Sequence, residues 1–321
     1  MRVGIVGAGL SGLIAGRRLH DAGHDVILWD KGRSPGGRLA TRRIGDAQLD
    51  HGAQFFTVRD DAFGEQVAAW QRDGVVFEWC RGFASPDGHT PPDGYPRYAA
   101  HGGMNAIAKH LAQGLDVRTS SLVFSIHRGA GAHPWEVRLD DATITGLDAL
   151  IVTCPVPQTY SLLVSADIDL PQPLLRGGYD MTLCLLATLD SDSAVPEPGG
   201  VQHDPNFTFV ADNRRKGISA VSAITAHASP AWSEAHWDDD PDVALAALVE
   251  LAAPYIGDAT IVEQQLKRWR FATPRTIWPD RCWSPDELPT VIAAGDAFAG
   301  PRMEGAALSG LAAAAQLLDL P

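Results

Sequence analysis

Three glycines near the N-terminus have the spacing of a phosphate-binding turn. Gly7, Gly9 and Gly12 lie in the stretch GAGLSG and satisfy the pattern G-x-G-x-x-G. In this pattern the first glycine allows a tight turn, the second lets backbone amides approach a pyrophosphate, and the third lets a helix pack close to a strand. The residues predicted to hold the phosphates are Gly7, Ala8, Gly9, Leu10, Ser11 and Gly12.

The segments on either side of this turn support the same interpretation. The apolar run VGIV predicts a buried parallel strand, and a helix is predicted from about Leu10 to Asp21, with its N-terminal amides toward the phosphate. Gly23 ends that helix, and DVILWD is predicted as the second strand. Asp30 closes this strand 18 residues after Gly12, where a carboxylate would accept hydrogen bonds from an adenosine ribose. Together these features predict dinucleotide binding, but NAD and FAD share this half of the site.

A basic stretch follows the second strand and favours FAD. DKGRSPGGRLATRR, from Asp30 to Arg43, has five basic residues and one acid, in a chain whose formal net charge is -13. It predicts a loop in which Lys31 and the amide of Gly37 face phosphate again, and Arg38 adds a forked, permanently charged donor. An NAD enzyme would continue with alternating strands and helices at this point. A second contact with the same pyrophosphate fits the longer body of FAD.

The next segment, LDHGAQFF from Leu49 to Phe56, is predicted to lie beside the flavin ring. Gly52 and Ala53 are small enough to lie against a flat ring system. Gln54 is a neutral side chain that both donates and accepts hydrogen bonds.

The C-terminal stretch supplies a third predicted contact with the flavin. TVIAAGD predicts an apolar strand that ends at Gly295 and Asp296, where an acid would bind the ribityl or pyrophosphate oxygens. A helix of small residues is predicted from about Arg302, with its positive end against the N1–C2=O2 edge of the flavin. The predicted contact residues of this helix are Arg302, Met303, Glu304 and Ala307. No cysteine lies beside the motif, so we expect the FAD to be bound non-covalently.

These segments predict an α/β chain of two domains. Runs such as LDVRTSS, WEVRLD and LDALIVTCP predict strands of a doubly wound, Rossmann-like FAD-binding domain made of residues 1–58, 97–160 and 287–321. Residues 59–96 and 161–286 predict a substrate domain with a mixed, largely antiparallel sheet, since runs such as MTLCLLATL and FTFVAD alternate there with turns. The helix PDVALAALVELAAPY interrupts these strands, and the DDDP sequence at its start predicts an N-cap, not a metal site.

Length and composition indicate an ordinary soluble globular protein. The chain has 321 residues, which is enough for two domains. Its acidic balance argues against nucleic acid as a partner, because nucleic acid requires a broad basic face. The chain begins directly as a strand, so no signal peptide is expected, and no apolar run is long enough to predict a membrane span. The cysteines Cys80, Cys154, Cys184 and Cys282 predict buried thiols in a reducing compartment, the cytoplasm.

The motifs GAGLSG, WDKGRSPGGR, LDHGAQFF and GD…EGA..SG together resemble the flavin amine-oxidase superfamily. Within it the chain most resembles the renalase family, through TCPVPQ, ADNRRKG and KRWRFATP, and the likeness covers essentially the whole chain. The resemblance implies an FAD-dependent oxidase that converts 2- and 6-dihydro-NAD(P) to NAD(P)+ by hydride transfer to flavin N5, with molecular oxygen reduced to hydrogen peroxide. One departure is His51, at a position where the motif is expected to hold an apolar residue. We expect His51 to be a buried, satisfied histidine and not a catalytic one.

The predicted substrate domain carries two basic clusters that suit a dinucleotide. The first comprises Asn213, Arg214, Arg215 and Lys216, and the second comprises Arg268, Trp269 and Arg270. Arginine forks suit phosphates and an indole face suits a flat ring, while Thr225 and His227 would reach a carboxamide. The candidates that line the flavin and substrate pocket are Gln54, Asn213, Thr225, His227, Trp269 and Arg270. No residue is assigned a catalytic role.

Two other functions stay open. One is oxidation of an amine or amino acid, and the other is a flavin-binding redox sensor without catalysis. Amine-oxidase relatives commonly place a lysine near flavin N5 on a strand of the middle region. The corresponding strand MTLCLLATL has no lysine, since the lysines of the chain are Lys31, Lys109, Lys216 and Lys267. This favours a dihydropyridine substrate.

Overall fold

The computed structural model describes residues 1–89 and 93–320 of the chain. The strands within these ranges are β1 Arg2–Val6, β2 Asp25–Trp29, β3 Thr41–Ile44, β4 Ala47–Asp50, β5 Val76–Cys80, β6 Arg97–Ala100, β7 Asp116–Arg118, β8 Val123–Arg128, β9 Trp135–Leu139, β10 Ile144–Leu147, β11 Ala149–Val152, β12 Tyr179–Leu189, β13 Gly200–Val201, β14 Phe207–Asp212, β15 Ala223–Ala228, β16 Ile261–Pro274 and β17 Val291–Ala293. The helices within the same ranges are α1 Leu10–Asp21, α2 Asp61–Arg72, α3 Asn105–Leu111, α4 Val156–Val164, α5 Gln172–Leu175, α6 Pro230–Ala235, α7 Pro241–Ile256 and α8 Met303–Leu318.

The chain forms two compact units. Unit 1 comprises Met1–Gly37, Ala108–Gly178 and Pro274–Pro321, and unit 2 comprises Arg38–Ile107 and Tyr179–Thr273. The borders differ from those of the predicted domains, most clearly because residues 38–58 belong to unit 2. The units are defined by compactness and the predicted domains by the ligand that they would contact, so the predicted domain borders stay a prediction.

Unit 1 is built on a parallel sheet with the strand order β17-β11-β1-β2-β7. β1 and β11 are short apolar runs with almost completely buried side chains, as expected for a sheet covered by helices on both faces. The chain order reverses at β1, and ligands of such sheets bind at the carboxyl ends of the strands beside this reversal. The predicted Rossmann-like α/β architecture is confirmed.

One predicted strand of this region lies in a different sheet. WEVRLD forms β9, which pairs with β8 and β10 in an antiparallel sheet and not in the parallel one. Buried and exposed side chains alternate along β9, which is typical of a strand with one covered face.

The helix at the glycine motif packs against the last helix of the described chain. α1 has the predicted bounds, and α8 begins at Met303, one residue after the predicted start. A side chain at Gly310 of α8 would overlap the backbone carbonyl of Ser11 in α1. Glycine at this position therefore permits the close approach of the two helices.

Unit 2 is built on a sheet with the strand order β13-β14-β15-β12-β16. The pairings of β13 with β14, β14 with β15 and β15 with β12 are antiparallel, in line with the predicted antiparallel character. One face of this sheet is apolar and packs against α7, through side chains such as Leu185, Ile224 and Leu248. α7 has the predicted N-cap, because the side chain of Asp240 accepts a hydrogen bond from the amide of Asp242. The short helix α6 before α7 is not among the predicted elements.

The opposite face of this sheet carries the candidate site residues, and we call it the polar face. The strand register places Phe209 beside His227 and His227 beside Cys184, so these side chains share the polar face. The hairpin of β3 and β4 packs on the same face, where Leu49 lies against Cys184 and Leu186. The segment that follows β4 is thereby held over the polar face.

Two further findings concern membrane segments and thiols. Among the described residues no helix has both the length and the apolar character that crossing a bilayer requires. The four cysteines are free; Cys184 is buried, and Cys80, Cys154 and Cys282 are only partly buried. The prediction of buried thiols is therefore confirmed for Cys184 alone.

Candidate functional site

The glycine turn of unit 1 has the geometry that its sequence predicts. Gly7 adopts a φ of 104°, which favours glycine, and a side chain at Gly12 would overlap the carbonyl oxygen of Gly7. A side chain at Gly9 would meet nothing within 4 Å, so open space lies above the middle of the turn. The turn is thus tight on the protein side and open on the other, which fits an approaching phosphate.

Asp30 directly follows β2, and its carboxylate contacts the glycine turn. One carboxylate oxygen accepts a hydrogen bond of 2.8 Å from the amide of Ala8, and the other accepts one of 2.7 Å from the amide of Gly32. The predicted contact of Asp30 with a ribose stays a prediction, and the structure adds a second role. Asp30 ties the end of β2 to the glycine turn.

The helices α1 and α8 both begin without a side-chain cap. Gly9 precedes α1 and Arg302 precedes α8, and neither forms a capping hydrogen bond from its side chain. At a helix start without a side-chain cap, the backbone amides and the positive end of the helix dipole are available to bind an anion or a polarised ring. Near α8, the amide of Gly295 donates to Ser309 Oγ at 2.8 Å, and Asp296 is almost fully buried. The arrangement in unit 1 fits the phosphates and polar edge of a dinucleotide.

Unit 2 positions the segment after β4 with a buried ion pair. Lys216 Nζ lies 2.6 Å from Asp50 Oδ2, and both side chains are completely buried. Asp50 Oδ1 accepts hydrogen bonds from Thr41 Oγ1 at 2.5 Å and from the amide of Met104 at 2.8 Å. Burial lowers the pKa of Lys216, and the Asp50 carboxylate opposes this shift. Asp50 therefore connects β4 to three other segments of unit 2.

Asn213 and Thr225, both predicted to line the substrate pocket, are parts of the same network. The side-chain oxygen of Asn213 accepts from the amide of Asp50 at 3.2 Å, and its nitrogen donates to Thr225 Oγ1 at 3.0 Å. Both side chains are buried. Their predicted contact with substrate stays a prediction, and the structure gives both a role inside unit 2.

His51 directly follows Asp50, and its backbone contacts two side chains of the polar face. Its backbone carbonyl accepts hydrogen bonds from Trp269 Nε1 at 2.6 Å and from His227 Nε2 at 3.1 Å, which requires a proton on that nitrogen of His227. The imidazole of His51 stacks on the indole of Trp269, with ring centroids 5.3 Å apart and an interplanar angle of 22°. Burial, reinforced by nearby cations, lowers the pKa of His51 to about 4, and burial lowers the pKa of His227 to the same value.

The expectation that His51 is a buried, satisfied histidine is wrong. The residue is only half-buried, and its Nδ1 atom has no hydrogen-bond partner among the described residues. The Nδ1 atom is shielded from solvent, and the backbone carbonyl of His51, not its side chain, makes the hydrogen bonds to Trp269 and His227.

Gln54 presents an unused acceptor. Its Nε2 donates to the carbonyls of Asp50 at 2.6 Å and Gly52 at 3.3 Å, which determines the orientation of the amide. Its Oε1 is buried and has no partner among the described residues. A buried acceptor without a donor costs free energy, so this oxygen fits an N–H group of a bound ligand.

Packing inside unit 2 gives a reason for glycine at position 52, and its predicted contact with the flavin stays a prediction. A side chain there would overlap the backbone carbonyl of Arg38, and that carbonyl accepts the amide of Ala53 at 2.8 Å. The Arg38 side chain donates to the carbonyl of Ala272 at 3.1 Å. Close packing between two stretches of unit 2 thus selects glycine at this position.

In the structure the residues of each predicted basic cluster have different partners and do not act as one group. Arg214 pairs with Asp192, and Arg215 pairs with Glu197 at 3.0 Å and Asp212 at 3.6 Å. In β16, Arg268 donates to backbone carbonyls of residues 237 and 239, away from His51. Strand alternation places Arg270 on the side of Arg268, opposite to Trp269. The structure therefore brings only Trp269 of the second cluster to the polar face.

Four aromatic side chains of unit 2 form a group that was not among the candidates predicted from the sequence. Phe55, Phe83, Phe209 and Trp79 contact one another, with centroid distances of 4.7 Å for Phe55 and Phe83 and 4.9 Å for Phe83 and Phe209. Lys216 Nζ lies 5.2 Å from the ring centre of Trp79. The alternation in FTFVAD and the double phenylalanine of GAQFF were available signals for this group.

Comparison with known proteins agrees with these features. Residues 5–79 match the model of the NAD(P)-binding Rossmann-like domain, and residues 88–318 match that of the flavin-containing amine oxidoreductase family. The second match covers well over half of the chain.

Individual relatives are more distant. The chain is similar to Renalase of Mus musculus, with 28% identity over 50% of this chain and 49% of that protein. It is also similar to a putative flavin-containing monoamine oxidase of Mycobacterium tuberculosis, with 28% identity over 44% of this chain and 30% of that protein. The matches therefore span about half the length or less of these relatives.

Solved structures share the fold. A putative protoporphyrinogen oxidase from an Exiguobacterium species has a TM-score of 0.75 at 15% identity, covering 98% of both chains. A putrescine oxidase bound to putrescine has a TM-score of 0.74 at 15% identity, covering 99% of both chains. The glycine turn, the sheet of unit 1 and the family match lead to one identification: the chain belongs to the flavin-containing amine oxidoreductase family, and its cofactor is FAD.

Proposed function

We propose that the protein oxidises isomeric dihydropyridine nucleotides, the 2- and 6-dihydro forms of NAD(P), to NAD(P)+. Bound FAD would supply the electron acceptor, and molecular oxygen would then be reduced to hydrogen peroxide. The similarity to Renalase supports this substrate class, while the family match supports the broader flavin-dependent oxidoreductase activity.

The observation that carries the proposal is the flat, neutral surface formed by His51 and Trp269. The stacked rings offer an aromatic surface, and a pKa of about 4 keeps His51 uncharged at neutral pH. Gln54 Oε1, in the same segment, fits the N–H of a carboxamide. A dihydronicotinamide combines an uncharged flat ring with a carboxamide, so its chemistry matches these groups.

The same residues are poorly suited to an amine. An alkylammonium must lose a proton before oxidation, and imidazoles with pKa values near 4 are weak bases for that task. A dihydropyridine has no such proton to lose, and its ring becomes aromatic when hydride leaves. The protein need only hold the ring in the productive orientation.

We further propose the binding roles of the residues. The residues proposed to hold the FAD are Gly7, Ala8, Gly9, Leu10, Ser11, Gly12, Asp30, Lys31, Gly37, Arg38, Gly52, Ala53, Gln54, Gly295, Asp296, Arg302, Met303, Glu304 and Ala307. The four free thiols support a reducing compartment, so the proposed location is the cytoplasm.

The test is anaerobic mixing of the yellow holoenzyme with separate 2-dihydro-NAD(P), 6-dihydro-NAD(P) and amine solutions. We expect the dihydro isomers to bleach the flavin rapidly and amines, including putrescine, to leave it oxidised. Hydrogen peroxide should form in stoichiometric amounts once air is admitted. Rapid bleaching by an amine, with none by the dihydro isomers, would establish an amine oxidase instead.

A further inference from the structure

Two cations of unit 2 lie near each other without a carboxylate partner. They are Arg42 of β3 and Lys267 of β16, and neither side chain forms an ion pair or a hydrogen bond with a described residue. Several other arginines of unit 2 differ in this respect. Arg97, Arg214 and Arg215 each pair with a nearby aspartate or glutamate.

The strand register turns Arg42 toward the polar face. In the β3–β4 hairpin Arg42 lies directly opposite Leu49, and residues in that relation share one side of the hairpin. Leu49 packs on Cys184 and Leu186 of β12, so this is the side that meets the sheet. Arg43, the next residue, points to the other side; both arginines are exposed to solvent.

Strand alternation turns Lys267 toward the same place. Lys267 precedes Trp269 by two residues, and Trp269 donates to the carbonyl of His51. The two positions are separated by roughly 6.6 Å along the strand. Lys267 therefore lies beside the His51–Trp269 stack, on the same side of β16.

Among the described residues no carboxylate forms an ion pair with either cation at this place. Partial burial, together with the Arg42 guanidinium, lowers the pKa of Lys267, and both cations help to lower the pKa of His51. The Cys184 thiol supplies no counter-charge, because burial raises its pKa and keeps it protonated. An exposed guanidinium and a partly buried ammonium held near each other attract an anion.

We propose that Arg42 and Lys267 bind the pyrophosphate of the substrate while its dihydropyridine ring lies against the His51–Trp269 stack. This assignment rests on the proposed function for the identity of the substrate. A pyrophosphate carries two negative charges, for which a forked guanidinium and a point-charge ammonium are suitable partners. A ribose separates the ring from the pyrophosphate, and the two-residue step from Trp269 to Lys267 provides comparable spacing.

The experiment uses three hydride donors that share the dihydronicotinamide riboside. They are 6-dihydro-NAD, which adds the pyrophosphate and adenosine, the corresponding 6-dihydronicotinamide mononucleotide, which adds one phosphate, and the phosphate-free riboside. Anaerobic flavin reduction in the holoenzyme gives the Kd and limiting rate for each donor. Arg42→Gln and Lys267→Gln should each raise the Kd for 6-dihydro-NAD about tenfold or more, with limiting rates within twofold of the parent. The riboside should be oxidised by all proteins with the parent's constants, and the control Arg43→Gln should match the parent throughout.

Three outcomes would overturn the assignment. The first is an unchanged Kd for the dinucleotide in both variants. The second is an equal loss with the riboside, which would indicate general damage to the site. The third is loss of FAD from the purified variants, since these cations would then serve the cofactor.

Calorimetry with inorganic pyrophosphate separates this inference from the proposed function. Oxidised parent holoenzyme should bind pyrophosphate, and Arg42→Gln and Lys267→Gln should weaken that binding. If no dihydronicotinamide bleaches the flavin but pyrophosphate binding depends on both residues, the proposed function fails and the anion site stands. If the dihydro isomers bleach the flavin and neither residue affects pyrophosphate or dinucleotide binding, the anion site fails alone.

Discussion

At neutral pH both imidazoles at the polar face are uncharged, because burial lowers the pKa of His51 and of His227 to about 4. Neither group titrates between about pH 6 and 9. We therefore expect the rate of flavin reduction at saturating 6-dihydro-NAD to change little over this range, as measured by anaerobic stopped flow. His227→Gln keeps a hydrogen-bond donor and should alter binding without altering the pH profile. A steep single-proton profile that disappeared in a variant of either histidine would contradict a base-free reaction.

The same pKa values determine how stability depends on acid. The pKa falls from 6.5 in the unfolded chain to about 4 in the folded protein, so the unfolded state binds protons first as the pH decreases. This stabilisation is complete above pH 6.5 and is lost as the pH falls from 6.5 through 4. The Tm should decrease over that interval, and His227→Gln should flatten the decrease. The control His20→Gln, at an exposed position, should leave its slope unchanged.

At the scale of elements, the Asp50–Lys216 pair joins β4 to the turn after β14. Lys216→Met would leave the Asp50 carboxylate buried without its cation, at a cost of about 3–5 kcal/mol in the free energy of unfolding. The double variant Asp50→Asn with Lys216→Met should lose less stability than the sum of the single variants. Urea unfolding measures each value, and Lys109→Met, an exposed lysine, is the control. Additive effects would show that the two side chains act independently.

Gly52 tests the packing of the segment that follows β4. Gly52→Ala should destabilise the protein and weaken FAD binding, because the added methyl group would overlap the carbonyl of Arg38. Gly131→Ala is the matched control, since a side chain there meets nothing within 4 Å. Thermal unfolding and FAD titration of the apoprotein would both be measured. Equal behaviour of the two variants would contradict the close approach at Gly52.

At the scale of the whole molecule, FAD should act as a folding ligand. We expect one FAD per chain, released completely by denaturation because no cysteine lies beside the C-terminal motif. A ligand at 100 times its Kd adds about 2.7 kcal/mol to the free energy of unfolding. The Tm of the apoprotein should therefore rise with added FAD, and FMN should raise it less because it lacks the adenosine half. Flavin that stayed with the denatured chain would contradict non-covalent binding.

Local backbone patterns could be predicted from the sequence, whereas contacts between residues far apart in the chain could not. The turn at Gly7, Gly9 and Gly12 was predictable, since its spacing reports the backbone geometry directly. The contact of Trp269 with the carbonyl of His51 joins residues 218 positions apart and depends on the register of a sheet. Sequence alone grouped Trp269 with Arg268 and Arg270, whereas strand alternation separates them.

The same limit applies to charge. The sequence placed Lys216 in a basic cluster that suits a dinucleotide. In the structure its ammonium is buried and pairs with Asp50, which lies 166 residues away in the sequence. Arg42 and Lys267 gave no sequence signal as a pair, because only the packing of the hairpin on β12 brings them to one place. Propensity and motif spacing carry no information about such pairs.

The packing of α1 against α8 has a consequence for synthesis of the protein. The glycine turn and α1 leave the ribosome early, whereas α8, whose Gly310 fits against Ser11, leaves nearly 300 residues later. β11 and β17, which complete the sheet beside β1, both emerge within that interval. Until then the buried surface of α1 lacks its final partner, so unit 1 reaches its finished packing only after translation of α8. A nascent chain therefore carries its nucleotide motif long before the surroundings of that motif are assembled.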